Sequence, residues 1–395
     1  MKVLHIITGL NVGGAENMLC KLLENGNASD RSAAVLSLLD PGPLAERIRA
    51  IGVPIYTLGM KSGLAGPIST IRLARIVNIV SPDVLHGWMY HGNLAATFAH
   101  STVARRLPLI WNVRHSLADP SLETRRTRAI LKISAAISRA PSSIIYNSAR
   151  AADQHEKYGY SPHRRVVIPN GFDFDIFRPN IQARKRMGGE FAIDPGATVV
   201  GIVARLHPMK AHAMLVKAVG HARAAGRDLH LVMIGEGISS PPAELAAAIA
   251  DHLPADRVTL LGARSDIADI LPGFDILAVP SGWGEGFPNV IGEALACEVP
   301  VVTTDVGDSA LIVAENGIVV APGDADSFAQ ALVELTDLGP EGRAAMGRAG
   351  RNRTRGLYGL AEIADRYERL YEAVSGDDGT PRRTLDVQEE PVRIR

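Results

Sequence analysis

Short apolar runs rich in β-branched residues alternate along the chain with longer stretches whose apolar positions recur every three to four residues. Seven runs lie in the first half: "VLHII", "AAVLSLL", "PIYTL", "DVLHG", "LIWNV", "SIIYN" and "RVVIP". Six more follow in the second: "TVVGIVA", "LHLVMIG", "VTLLG", "DILAVP", "VPVVTT" and "GIVVAP". Between them, stretches such as "GGAENMLCKLLENG" and "AHAMLVKAVGHARAAG" carry the helical spacing. Repeated strand–helix units predict parallel sheets covered by helices on both faces. Two such series predict an α/β chain of two doubly wound, Rossmann-like domains facing a cleft.

The seam between the series is expected in residues 170–197, which are rich in Gly, Pro and charge and contain no clear strand. The chain is therefore divided into residues 1–178 and 179–356, with a helix at 357–374 returning to the first domain. Residues 375–395 lack aromatic residues and mix charges, which predicts a disordered tail.

Composition agrees with two domains, since 395 residues at 46% hydrophobic exceed the usual size of one. The 42 basic and 42 acidic residues balance, so whole-chain charge points to no nucleic-acid partner. Their distribution is uneven: 21 Lys and Arg stand against 12 Asp and Glu over residues 1–180, and 21 against 30 over the remainder. Cys20 and Cys297 are far apart, each in an apolar helical pattern, and read as buried reduced thiols in a cytoplasmic protein. The start reads as a first strand without a cleavable leader, and no run approaches the roughly 18 apolar residues of a spanning helix.

Candidate chemistry gathers where strands give way to helices, because ligands of open parallel sheets sit beyond the carboxyl ends of the strands. "PSGWGEGFPNVIGEALAC", residues 280–297, follows an apolar strand with a Gly-rich patch and then a helix. It places Glu285 at the strand end and Glu293 one turn into the helix, whose free amides and positive dipole end suit a phosphate. Acids favoured by the dipole at an ordinary helix start explain this stretch equally well. "GIVARLHPMKAHAMLVKA" adds Arg205 and Lys210 at the same sheet edge. Two fixed cations there can stabilise negative charge growing on a leaving phosphate, although two solvated surface cations would look the same.

Together these residues resemble the donor site of the family-4 (group 1) retaining glycosyltransferases of the GT-B fold. Arg205, Lys210 and "EGFPNVIGEA" are joined by "GGAE" at 13–16, "NVRHS" at 112–116, "IPNGFD" at 168–173 and "LLGARSDI" at 260–267, in the order the family shows. The resemblance implies a first domain on the acceptor side and a second that binds the nucleotide sugar, UDP- or GDP-linked, with no metal and no other cofactor. It implies that Arg205 and Lys210 bind the donor diphosphate with the amides of Asn289 and Val290, that Glu285 holds the transferred sugar, and that Glu293 holds the ribose. The backbone around Gly262 and Arg264 would receive the base, Gly13 and Gly14 would approach the diphosphate, and His115 would face the donor sugar. No residue stands out as a covalent nucleophile, so front-face attack is expected, with the leaving phosphate taking the acceptor proton.

Other signals have plainer readings. "DFD" at 173–175 resembles a metal motif but sits in the seam, and His86 and His91 are as readily structural as substrate-binding. Ala211 stands where the family often has glycine. A nucleotide-sugar epimerase, opposed by the spacing of seven residues between Glu285 and Glu293, and a non-catalytic nucleotide-sugar sensor, opposed by the intact Arg, Lys and Glu set, remain alternatives. From Ser101 to Ala140, eight cations face only Asp119 and Glu123, and the basic helix at 121–139 is amphipathic. Such a stretch suits either solvent or the anionic inner face of a cytoplasmic membrane, where a glycan or lipid-linked acceptor of the cell envelope would be met.

Overall fold

The computed structural model describes residues 1–376 apart from 12, 27–31, 61–66, 104 and 118. The tail expected beyond residue 375 falls almost wholly outside the described residues. By its internal contacts the chain forms two compact units, Met1–Gly171 continued from Leu360, and Phe172–Gly359.

The first unit holds a seven-stranded sheet of β1 (Lys2–Ile7), β2 (Ser32–Ser37), β3 (Ile55–Thr57), β4 (Val84–Trp88), β5 (Leu109–Val113), β6 (Ser143–Tyr146) and β7 (Arg165–Val167). The second holds six: β8 (Thr198–Val203), β9 (Leu229–Ile234), β10 (Val258–Leu261), β11 (Ile276–Val279), β12 (Val301–Thr304) and β13 (Gly317–Val320). Every pairing is parallel. The orders are β3-β2-β1-β4-β5-β6-β7 and β10-β9-β8-β11-β12-β13, so each sheet starts in its middle, builds to one edge, and crosses back to build to the other. Both are doubly wound, and their switch points lie between β1 and β4 and between β8 and β11.

The physical cause is burial on both faces. In the first unit, Leu4, Ile6, Leu36, Leu85 and Trp111 join a core with Leu73, Val77 and Leu131 on one side of the sheet. Val3, Ile7, Val35, Val84 and Ile110 join Leu19, Ile363 and Tyr367 on the other. Alternate strand residues feed alternate layers, so the inner strands are apolar along most of their length. The second unit repeats the arrangement with its own two layers.

The unit boundaries fall at 171/172 and 359/360, against 178/179 and 356/357 on the sequence reading. Phe172 explains the first difference. It is fully buried, its amide donates to the Tyr358 carbonyl at 2.8 Å, and its ring stacks with Phe287 and meets Tyr358 edge-on. The chain thus enters the second core at Phe172, ahead of the polar seam. The helix Leu360–Ser375 belongs to the first unit.

Candidate active site

The densest set of expected site residues lies in the second unit, at the carboxyl ends of the adjacent strands β8 and β11. After β8 the chain passes exposed Arg205 and makes a short turn, Pro208–Lys210, started by His207, whose side chain accepts from the Met209 amide. Ala211 then takes a left-handed conformation (φ 47°, ψ 44°) before the helix His212–Ala224. An L-residue carries a steric cost at positive φ that glycine does not. The chain tolerates it and Lys210 is still delivered.

After β11 the loop 280–288 is tied to the first loop by its backbone, Gly282 N–H donating to the Met209 carbonyl at 2.8 Å. Lys210 Nζ donates to Glu285 Oε1 at 2.5 Å, and Ser281 Oγ donates to the same oxygen at 2.6 Å. Glu285 is only 8% exposed and the Lys210 side chain 21%. A carboxylate this buried requires such partners, because the cost of leaving water is otherwise uncompensated. Both bonds converge on Oε1, and Oε2 has no partner among the described residues. Ser281 is held in turn by Thr304 of β12, whose hydroxyl donates to its carbonyl at 2.5 Å. Ser281 and Thr304 were not anticipated; a hydroxyl four residues before a strand-end carboxylate was the available signal.

The helix Asn289–Ala296 starts at Pro288 with no side-chain cap, so Asn289 and Val290 form its first turn with backbone N–H groups directed out of the helix end. Its Gly292 lies against Phe172, where an added Cβ would come within 2.0 Å of the ring. This close approach seats the helix on the core while Glu293, one residue on, stays half-buried. Burial first, and the Glu293 carboxylate second, raise the Cys297 thiol, so Cys297 is an inert protonated core residue. Gly262 and Arg264 follow β10. The Arg264 guanidinium is engaged twice by Asp266, at 2.8 and 2.6 Å, and by Glu190 at 3.2 Å, so the backbone of this loop, and not that side chain, is left to meet a ligand.

In the first unit, Gly13 caps the helix Gly14–Asn25 without a side-chain bond, and Gly14 is open. The Glu16 carboxylate folds back toward Gly13, and burial raises its pKa. His115, two residues beyond β5, is bonded through Nε2 to Glu123 Oε1 at 2.9 Å. His86 is fully buried, with Nδ1 2.8 Å from the Tyr371 hydroxyl and Nε2 3.3 Å from Asn112 Nδ2, so it is a structural histidine. Arg114 is drawn into the same network by Tyr367, at 2.7 Å, and by Asn170. His91 is half-buried, and burial lowers its pKa. Asp173 of "DFD" shapes a turn, its Oδ1 accepting from the amides of Asp175 and Ile176. Among the described residues no group of three His, Cys, Asp or Glu is placed to hold a metal, and no helix is long and apolar enough to cross a membrane.

Two doubly wound Rossmann-like units, the second with a cation–carboxylate cluster at its switch point, define a protein of the GT-B glycosyltransferase fold. Residues 12–176 match the model for glycosyltransferase family 4, and residues 197–337 match that for glycosyl transferases group 1. The chain belongs to this family, the group 1, family-4 glycosyltransferases. It is 27% identical over 321 residues to a putative glycosyltransferase, EpsF, of Bacillus subtilis, covering 77% of this chain and 79% of that one. It is 30% identical over 274 residues to a D-inositol 3-phosphate glycosyltransferase of Segniliparus rotundus, covering 67% of this chain and 58% of the relative's length. Among solved structures, Anabaena HepE, crystallised with UDP and with UDP-glucose, shares the fold at 21% identity; its UDP complex superposes with a TM-score of 0.82 over 94% of this chain and 100% of its own.

Proposed function

We propose that the protein is a retaining, metal-independent glycosyltransferase that moves a sugar from a nucleoside-diphosphate sugar to a hydroxyl of a cell-envelope glycan or lipid-linked acceptor. The observation that carries this reading is the Lys210–Glu285–Ser281 cluster between β8 and β11, next to an uncapped helix start and exposed Arg205. Arg205, Lys210 and the amides of Asn289 and Val290 receive the diphosphate. Glu285 Oε2 accepts from a hydroxyl of the transferred sugar, Glu293 from the ribose, and the backbone at Gly262 and Arg264 faces the base. On the other unit, the Gly13–Gly14 helix start and His115 are the groups assigned to substrate.

As the bond from the anomeric carbon to the phosphate oxygen breaks, its electron pair passes to the diphosphate, and the two cations stabilise that charge. The acceptor oxygen attacks the same face, and its proton passes to the leaving phosphate. Lys210 is suited to this work because Glu285 already orients it, so little reorganisation is needed as charge develops.

The test is a thermal-stability screen with UDP, GDP, ADP and their sugars, followed by transfer with the stabilising donor in chelator and assignment of the product anomer by NMR. The reading expects stabilisation that is lost in Lys210→Ala, chelator-insensitive transfer and a retained anomer. Inversion, or sugar isomerisation without an acceptor, overturns it.

Membrane contact is the second element of the proposal, supported by the outer surface of the first unit. The helix Arg125–Ile137, capped by Thr124, buries Leu131 and Ser134 and exposes Arg125, Arg126, Lys132 and Ile133. On the same side of the sheet, the helix Pro67–Val80 buries Leu73 and Val77 while exposing Ile68, Ile71 and Ile79 with Arg72 and Arg75. Cations interleaved with exposed isoleucines suit an anionic lipid surface at the cytoplasmic face. Co-sedimentation with anionic vesicles should fall with salt and with Arg125, Arg126 and Arg128 changed to Ser; equal binding to neutral vesicles removes the membrane claim.

A further inference from the structure

The chain contains three tryptophans and treats one of them differently. Trp88 and Trp111 are fully buried, and each indole N–H is used, Trp88 donating to His5 Nδ1 at 3.1 Å and Trp111 to Thr97 Oγ1 at 2.9 Å. Trp283 is 43% exposed, and among the described residues it takes part in no hydrogen bond, ring stack or cation contact. A buried indole N–H needs an acceptor from the protein, as Trp88 and Trp111 have, whereas Trp283 keeps part of its ring and its N–H available to a ligand.

Its setting sharpens the contrast. Trp283 stands in the loop 280–288, two residues before Glu285. The loop is held on both sides of it, by buried Ser281 and Glu285 and by the Gly282 amide on the Met209 carbonyl. Its chain neighbours are Gly282 and Gly284, the latter at φ +79° with Met209 close beside it. Neither has a side chain that could cover the ring. A pinned backbone thus carries a partly exposed indole, and the reach of two peptide units, at most about 7 Å, sets its Cα within one sugar's width of the Glu285 Cα.

An acceptor-only carboxylate and an open aromatic face are complementary to the two sides of a sugar. Hydroxyls need the carboxylate, while the axial C–H groups of a pyranose form an apolar, weakly positive surface that suits the electron-rich face of indole. We propose that Trp283 is a substrate-binding residue that stacks on the face of a pyranose ring held at Glu285 and selects which sugar is accepted. The proposal rests on the donor-site reading of Lys210 and Glu285. The pyranose belongs either to the donor or to the acceptor end, and the experiment separates them.

Because Trp283 is the one exposed indole, it dominates the part of the intrinsic emission that acrylamide quenches, with Trp283→Phe as the control lacking it. Quenching is measured for the full chain alone, with UDP or GDP, with the corresponding nucleotide sugar, and with nucleoside diphosphate plus an acceptor saccharide. The nucleotide sugar is expected to protect Trp283 by about twofold or more where the nucleoside diphosphate alone does not; protection that awaits the saccharide assigns the ring to the acceptor. Trp283→Ala is expected to raise KM for that one substrate about tenfold, on the order expected for one aromatic stacking contact. Its affinity for the nucleoside diphosphate should stay within about twofold, and Trp283→Phe should recover most of the loss. Unchanged KM values in Trp283→Ala with undiminished quenching in the full substrate complex overturn the proposal, while the donor-site reading stands if nucleotide binding still depends on Lys210. Nucleotide binding that survives Lys210→Ala intact removes both.

Discussion

Replacing Lys210 by Ala separates what the Lys210–Glu285 pair does for the fold from what it does for the reaction. Glu285 is 8% exposed with Lys210 in place, and in the variant it keeps one hydrogen bond, from Ser281 at 2.6 Å. Hydrogen bonds to charged groups contribute about 1.5–3 kcal/mol, and stripping a buried carboxylate of its cation costs at least as much. The Lys210 side chain is 21% exposed, so water can replace part of the lost donor, and about 2 kcal/mol of destabilisation is expected. Glu285→Gln should cost less, about 1 kcal/mol, because the released ammonium can reach solvent. The double variant Lys210→Ala, Glu285→Gln should be more stable than the sum of the two losses by about 1–2 kcal/mol, since no charge is then left unpaired.

Turnover should follow a different rule. Lys210 is asked to bind the diphosphate and to stabilise the further charge it gains on departure, so its loss should weaken nucleotide binding and lower turnover by on the order of 100-fold, and the double variant should not recover either. Arg205→Ala is the companion measurement. Arg205 is exposed and has no partner among the described residues, so stability should stay within about 0.5 kcal/mol while turnover again falls about 100-fold. Urea unfolding followed by circular dichroism gives the stabilities, and donor consumption at saturating nucleotide sugar gives the rates. Wild-type turnover in Lys210→Ala, or turnover restored together with stability in the double variant, would show the pair to be structural and refute the reasoning.

Ala211→Gly should stabilise the second unit by up to about 1 kcal/mol in urea, since relief of the left-handed strain of about 1–2 kcal/mol outweighs the added chain entropy of glycine; a loss of stability would contradict the assigned φ of 47°. Gly292→Ala should destabilise by about 1–3 kcal/mol, because its methyl group would meet the Phe172 ring, and a neutral change in melting temperature would show that the helix Asn289–Ala296 is not seated as described. Acid should weaken the first unit in a defined window. Burial lowers His5 to about 3, His155 to about 4, and His86 well below its usual value, whereas the unfolded chain takes up these protons near 6.5. The stabilisation is therefore whole above pH 6.5 and declines as pH falls toward 4, with a limiting slope of about 1.4 kcal/mol per pH unit for each histidine. Urea midpoints at pH 7, 6 and 5 that stay level would disprove it.

Legibility in this sequence follows how local the cause is. The thirteen strands among the described residues stood out as short apolar runs, most clearly the inner ones, which are buried on both faces and so apolar along most of their length, a property each carries alone. Arg205, Lys210 and Glu285 could be placed at strand ends for the same reason. Their contact could not, because Lys210 and Glu285 are 75 residues apart and meet only once β8 and β11 are neighbours. The boundary at Phe172 was hidden behind the polar seam, since the sequence shows an aromatic residue but not the core it enters. In "NVRHS", neighbours on an extended chain point to opposite sides. Arg114 proved to be the inward one, on Tyr367, and His115 the outward one, on Glu123.

The polar core of the first unit shows how such a gap can be closed. His5 and His86 are register partners on β1 and β4, and Trp88 pairs with Asn112 one strand further on. Two histidines and an asparagine in otherwise apolar strands must find hydrogen-bonding partners in whatever layer covers them, or the sheet bears the cost of buried unsatisfied groups. A covering helix can supply those partners only from positions on one face, three or four residues apart. "DRYERLYEA" places Tyr367 and Tyr371 at that spacing, and their hydroxyls meet Asn112 at 3.0 Å and His86 at 2.8 Å. The requirement for satisfied polar groups, taken with the pairing order of the strands, therefore selects the helix Leu360–Ser375 as the cover of this sheet face, where its length and hydrophobicity do not.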